Sequence, residues 1–214
     1  MSTTLAASAV PDLFVGLPSK QASLLRAALD LFVERGFGAT SVPAVALRAG
    51  MATGTVYLHF RSKEELVNTL LAQVRGHAAA RLVAEVDLEA PLRAQFDAIW
   101  GVFASQLLAH PDAVAFCDLH HHAAYLTPAA QEAWEPARRL LEAHVRQGRR
   151  SRVYRDLPPG ALRALMAGAL LGLSKMARVG EVKPTHELLL RVGEAVWAGL
   201  QRPRAVRRAG EGVR

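Results

Sequence analysis

The stretch that most constrains this chain runs from Thr40 to Lys63, where two short helical patterns are joined by a turn at Ala49, Gly50 and Met51. In the first pattern Val42, Val45, Ala46 and Ala49 recur at the spacing of one buried helix face. Gly50 falls where a helix end needs a left-handed residue, a conformation that glycine adopts without steric penalty. In the second pattern Val56 and Phe60 lie four apart as an inward pair, which leaves Thr53, Thr55, Tyr57 and His59 facing outward. A helix, a tight turn and a small polar-faced second helix make the helix-turn-helix arrangement, whose second helix lodges in a DNA major groove.

This segment closely resembles the DNA-binding signature of TetR-family transcriptional regulators. The matching letters are Thr40-Ser-Val, Ala46 to Gly50, Gly54-Thr-Val-Tyr57, His59-Phe60 and Ser62-Lys-Glu-Glu-Leu66. They stand at the family's spacing, near the start of a chain of family length. The resemblance implies DNA contacts from Thr40, Thr53, Gly54, Thr55, Tyr57, His59 and Lys63. Thr53 and Thr55 suit base edges or thymine methyls, because threonine offers both a hydroxyl and a methyl. Gly54 lets the backbone approach the duplex. Tyr57, His59 and Lys63 resemble the family's phosphate contacts, which set register without reading sequence. Without the motif, Tyr57 reads as a half-buried aromatic and His59 as a solvated surface residue.

Thr40 is placed to cap the first helix of the pair, freeing backbone N–H groups for a phosphate. Pro43 and Ala44 depart from the family, which often carries a polar or basic residue there, so specificity shifts toward the second helix. Leu58 departs as well; it touches a thymine methyl or a sugar, or simply packs.

Charge supports this reading without carrying it. The net formal charge is +7, but residues 202–214 alone hold five arginines against Glu211. Residues 1–62 hold five basic side chains against Asp12, Asp30 and Glu34. A single cysteine, Cys117, excludes an intrachain disulfide and suits a reducing cytoplasm. The uncharged run from Ala164 to Ser174 is far short of the ~20 residues that cross a bilayer, and no basic segment precedes the mild N-terminal apolar stretch, so neither a membrane span nor a signal peptide is expected.

Residues 1–18 read as a loose arm, and residues 19–75 as the DNA-binding head. Ser19 is expected to cap the first helix and Gly36 to end it. Ser62-Lys-Glu-Glu65 is a capping box opening a long helix to about Val86. From Pro91 onward the periodicity stays helical and becomes more apolar, and nothing suggests strands. The expectation is therefore all-α: a three-helix helix-turn-helix head and a larger C-terminal bundle over 76–200, followed by a basic flexible tail over 201–214. A helix shared by head and bundle would act as a lever between them.

In the family the C-terminal bundle usually holds a small-molecule pocket, and the resemblance assigns this one an apolar or amphipathic effector. The candidate lining is Trp100, Phe103, Phe116, His120, Tyr125 and Trp134, although aromatics at helical spacing also serve as plain core. Asp118 with His122, or Cys117 with His121, has a two-ligand spacing on a helix, but three adjacent histidines point three ways and no metal site or other cofactor is expected. Ala167, Leu170, Leu171, Leu189, Val192 and Val196 lie on two late helices that are apolar on more than one side. A twofold contact would bury that surplus, giving a homodimer on a near-palindromic operator. Two other readings compete: a metal-dependent bundle enzyme, against which stands the lack of a second Glu-x-x-His motif, and a DNA-binding regulator with no effector.

Overall fold

The computed structural model describes residues 10–120 and 124–203, and all ten regular elements among them are helices. These are α1 (Ser19–Ala39), α2 (Val42–Arg48), α3 (Thr53–His59), α4 (Lys63–Glu85), α5 (Leu92–Ala109), α6 (Pro111–Leu119), α7 (Pro128–Glu132), α8 (Glu135–Arg150), α9 (Pro159–Arg178) and α10 (His186–Leu200). An isolated bridge between Tyr154 and Gln201 is the sole extended pairing among the described residues.

Two cores organise the chain, and α4 runs through both. Leu66, Leu70, Leu71 and Val74 pack with α1, α2 and α3 in the first core. Ala79 and Leu82, on the far half of the same helix, pack with α5, α8, α9 and α10 in the second. Phe116 of α6 and Ala130 of α7 close the first core, so the head borrows side chains from the later part of the chain.

Several expectations about helix ends are revised. Ser19 makes no capping bond; Pro18 precedes the helix, and its fixed φ suits that entry. Gly36 interrupts α1 at φ 76° rather than ending it, and helical turns resume to Ala39. The helical periodicity that starts at Pro128 and continues past Trp134 to Val145 is not one helix: it is broken at Ala133 and Trp134 into α7 and α8. Ser62 accepts from Glu65 N as expected, but the Glu65 carboxylate takes Arg61 N, one residue beyond the usual partner.

The arm and the tail are also more attached than expected. Within residues 10–18, Leu13 and Phe14 are buried in the first core. Asp12 pairs with Arg26 of α1, Gln73 of α4 donates to Leu13 O, and His110 meets Pro11 O at 3.0 Å. Arg202 lies along Tyr154, its Nε donating to Tyr154 O at 2.9 Å, so this residue of the expected tail is held to the body. Residues 1–9 and 204–214 lie outside the described residues.

Candidate nucleic-acid interface

The turn between α2 and α3 is closed by its own backbone. Met51 N donates to Ala46 O and Gly50 N to Leu47 O, while Gly50 takes φ 66°, as a left-handed helix end requires. Val45, Ala46, Val56 and Phe60 are buried beneath it. Arg48 clamps α2 to α1 through two hydrogen bonds to the Glu34 carboxylate, and this pairing holds Glu34 below the usual carboxylate range. Only Val56 of α3 is buried, so the helix is presented to solvent rather than packed away. Thr53 and Thr55 are partly exposed; Gly54, Tyr57 and His59 are exposed.

Two of the expected contact residues are placed differently. Thr40 is 1% exposed, and its hydroxyl lies 2.8 Å from Gly36 O and 3.1 Å from Leu31 O. It finishes α1 instead of capping α2; the cap is Ser41, whose Oγ accepts from Ala44 N at 3.3 Å. The adjacent hydroxyls make either assignment plausible from sequence, and the kink at Gly36 decides between them by freeing carbonyls that Thr40 satisfies. Lys63 spends two of its three donors on Phe37 O and Thr40 O, at 2.8 and 3.0 Å, with its ammonium over the Phe37 ring. One donor is left for a phosphate. Lys63, Arg61, Tyr57 and Ser41 line an open notch of about 420 Å³ beside the start of α2, wide enough to seat a phosphate.

The five aromatics and one histidine expected around one pocket are divided between the two cores. Trp100 donates its indole N–H to Leu189 O at 2.8 Å, with Gly193 leaving it room. Phe103 and Trp134 pack as a tilted pair with ring centres 6.2 Å apart, on the second core. Phe116, His120 and Tyr125 instead face the head. Phe37 stacks on Tyr125 at 4.1 Å, Phe32 on Phe116 at 6.1 Å, and His120 Nδ1 bonds the Tyr125 hydroxyl. Burial lowers the pKa of His120, and its Nε2 meets no partner among the described residues. Asn68 of α4 ties this seam, donating to Tyr125 O and accepting from Thr127 N.

Polar groups that the sequence did not single out occupy the second core. Gln95 Nε2 lies within hydrogen-bond distance of Leu88 O, Ala90 O and Gln147 Oε1, which share its two hydrogens; its oxygen can only accept, and His144 Nδ1 donates to it at 3.0 Å. His144 Nε2 then accepts from the buried Tyr154 hydroxyl at 2.6 Å. Burial lowers His144 to about 4, which keeps the ring neutral. Elsewhere both amide atoms of the buried Gln106 and both ring nitrogens of His77 lack partners among the described residues. Gln106 lies one turn before His110, whose ring packs edge-on against His77.

Among the described residues no three metal-ligating side chains converge. Asp118 pairs with Lys175 at 3.2 Å, and burial pushes the Cys117 thiol up to about 11. His121 and His122, the other halves of the two candidate ligand pairs, lie outside the described residues. Of the expected dimer residues, Leu170 and Leu189 belong to the protomer's own core, because α9 and α10 turn those positions inward; Ala167 is exposed, and Leu171, Val192 and Val196 are partly so.

Residues 24–70 match the family described as bacterial regulatory proteins, tetR family, and residues 74–202 match the tetracyclin repressor-like C-terminal domain. The chain belongs to the TetR family. It is a DNA-binding transcriptional regulator. It is similar to the HTH-type transcriptional repressor KstR2 of Rhodococcus jostii, 31% identical over 62% of this chain and 69% of that protein. KstR2 of Mycobacterium tuberculosis is 35% identical, with the alignment covering 62% of each chain. The solved structure of that protein, a ketosteroid transcriptional regulator, superposes with a TM-score of 0.73 at 21% identity, covering 90% of this TetR-family chain and all of that one. A TetR-family regulator from Marinobacter aquaeolei superposes at 0.70 and 23% identity, covering 86% of this chain and 97% of the other. No described helix is long and apolar enough to cross a membrane.

Proposed function

We propose that this TetR-family protein is a cytoplasmic, homodimeric, one-component repressor that a small apolar or amphipathic molecule releases from a near-palindromic operator. The observation that carries the DNA half is the presentation of α3, which buries Val56 alone and offers Thr53, Thr55, Tyr57 and His59 outward. Thr53 and Thr55 read base edges, and Gly54 admits the backbone. Tyr57, His59 and the spare donor of Lys63 hold phosphates. We divide the chain at about residue 75, where α4 passes from the first core to the second.

The exposed strip of α9 and α10 supports the dimer. Ala167, Leu171, Val192 and Val196 are accessible, and a Cβ added to Gly168 or Gly172 would meet open space, so a second pair of helices has a close approach. A twofold pair would set two α3 helices one turn of B-DNA apart, ~34–36 Å.

For the effector, the relative KstR2, named for ketosteroids, directs the search to bulky apolar molecules. Phe103 and Trp134 would form apolar wall, and the Gln106 amide, which has no partner among the described residues, is a polar handle for such a molecule. A release of ~100-fold requires about 2.7 kcal/mol of coupling, an ordinary value for two linked sites. We assign no catalytic role to any residue.

The test is selection of bound fragments from genomic DNA, followed by a screen for compounds that release them. Tyr57→Ala should weaken binding to every duplex about tenfold per half-site, the cost of one charged hydrogen bond, without affecting folding. Thr55→Ala should change the preferred sequence. Both variants binding like the parent would refute the α3 reading.

A further inference from the structure

Leu58 is more exposed on α3 than either threonine or the tyrosine. Leu58 is 85% exposed, against 54% for Tyr57. Val56 is the buried anchor, and at about 100° per residue Leu58 lies about 200° round the helix from it. Gly54, four residues earlier, shares that outward ridge. A Cβ built on Gly54 would meet no other part of the protein, so packing does not demand the glycine there. The outermost line of α3 therefore consists of a glycine and a leucine, with no hydrogen-bonding side chain. The option that Leu58 simply packs against the protein is closed by its exposure.

Of the features that base pairs present in the major groove, the thymine C5-methyl is the apolar one. We infer that Leu58 is a specificity-determining residue, covering one thymine methyl in each half-site. The inference rests on α3 entering the groove as proposed above. A leucine side chain has no donor or acceptor, so a G·C or C·G pair beneath it would lose water from its polar edges without compensation. Apolar gain at thymine and desolvation cost elsewhere act in the same direction. Thr53 and Thr55, on either side of the ridge, retain the hydrogen-bonding roles.

The test uses the full-length protein and its selected operator, with each thymine replaced in turn by deoxyuridine at symmetric positions of both half-sites. This removes a methyl and leaves base pairing intact. At one position the parent should lose about fourfold in affinity per half-site, the value of one buried methyl-sized group. Leu58→Ala should lose that penalty and keep any others. Leu47→Ala, an 82% exposed leucine on α2, should keep it in full. The inference is overturned if the parent is indifferent to deoxyuridine at every position. It is also overturned if Leu58→Ala retains all the parent's penalties, or if Leu47→Ala abolishes the same one. Failure of the parent to select any duplex would overturn the α3 reading itself, and this inference with it.

Discussion

In the head, Phe32, Leu66 and Leu70 are enclosed by side chains that arrive from far along the chain, including Phe116 and Ala130, and the seam is tied by Asn68. In the body, the centre is a chain of directional bonds from Gln147 through Gln95 and His144 to Tyr154, all supplied from within residues 88–154. The first core is mainly apolar and borrowed, with its polar ties at the seam; the second has a hydrogen-bonded chain at its centre, drawn from one stretch of sequence. Apolar contact is tolerant of small slips, whereas a run of oriented hydrogen bonds holds one arrangement. The comparison teaches that the reading head is positioned by α6 and α7, while the polar centre of the body draws on no side chain of the head.

The sharpest way to break this contrast is Phe116→Ala, a substitution in the C-terminal part aimed at the head. Removing this fully buried ring should cost about 4 kcal/mol. Operator affinity should fall too, since Phe116 packs on Phe32. Urea unfolding and operator titration check this; stability within about 1 kcal/mol of the parent would mean the head closes without α6.

Gly148→Ala tests the other side. A methyl there would land inside the Tyr154 ring, and overpacking should cost about 3 kcal/mol. Trp197, with its ring 5.8 Å from that of Tyr154, provides the fluorescence signal for the disturbed body. An unchanged spectrum and midpoint would show that Tyr154 relocates freely and is no part of a rigid centre.

Acidification should have the smallest effect of the three. His144 titrates near 4 when folded and near 6.5 when unfolded, so below about pH 6.5 the unfolded chain binds the extra proton. Stability contributed by the neutral ring is complete above that pH and declines as pH falls toward 4, by about 2 kcal/mol at pH 5. Burial lowers His77 and His120 as well, which adds in the same direction. Urea midpoints at pH 7.5 and 5.0 measure it, and a flat profile would place the His144 ring in water.

What the sequence disclosed and what it withheld follow from what each signal encodes. Val42, Val45 and Val56 announce their helices because periodicity records which face is buried, and the Ser62 cap is a local contact between near neighbours. Periodicity does not record which partner covers that face. Phe116 and Tyr125 looked the same as Phe103 and Trp134, yet the first pair faces the head and the second the body. Gln95 and His144 gave no signal, since polar types on a helix normally mark its solvent side and only their mutual bonds reverse that. Thr40 and Ser41 are both capable caps, and choosing between them needs the kink at Gly36.

The continuity of α4 has a mechanical consequence. From Gly76 to Lys63 the rod is about 20 Å long, so a swing of about 5° in the body displaces its far end by nearly 2 Å. That exceeds the slack of a hydrogen bond, and a symmetric pair would double the error across the two half-sites. Motion too slight to disturb the deeper core can therefore spoil the match between protein and groove.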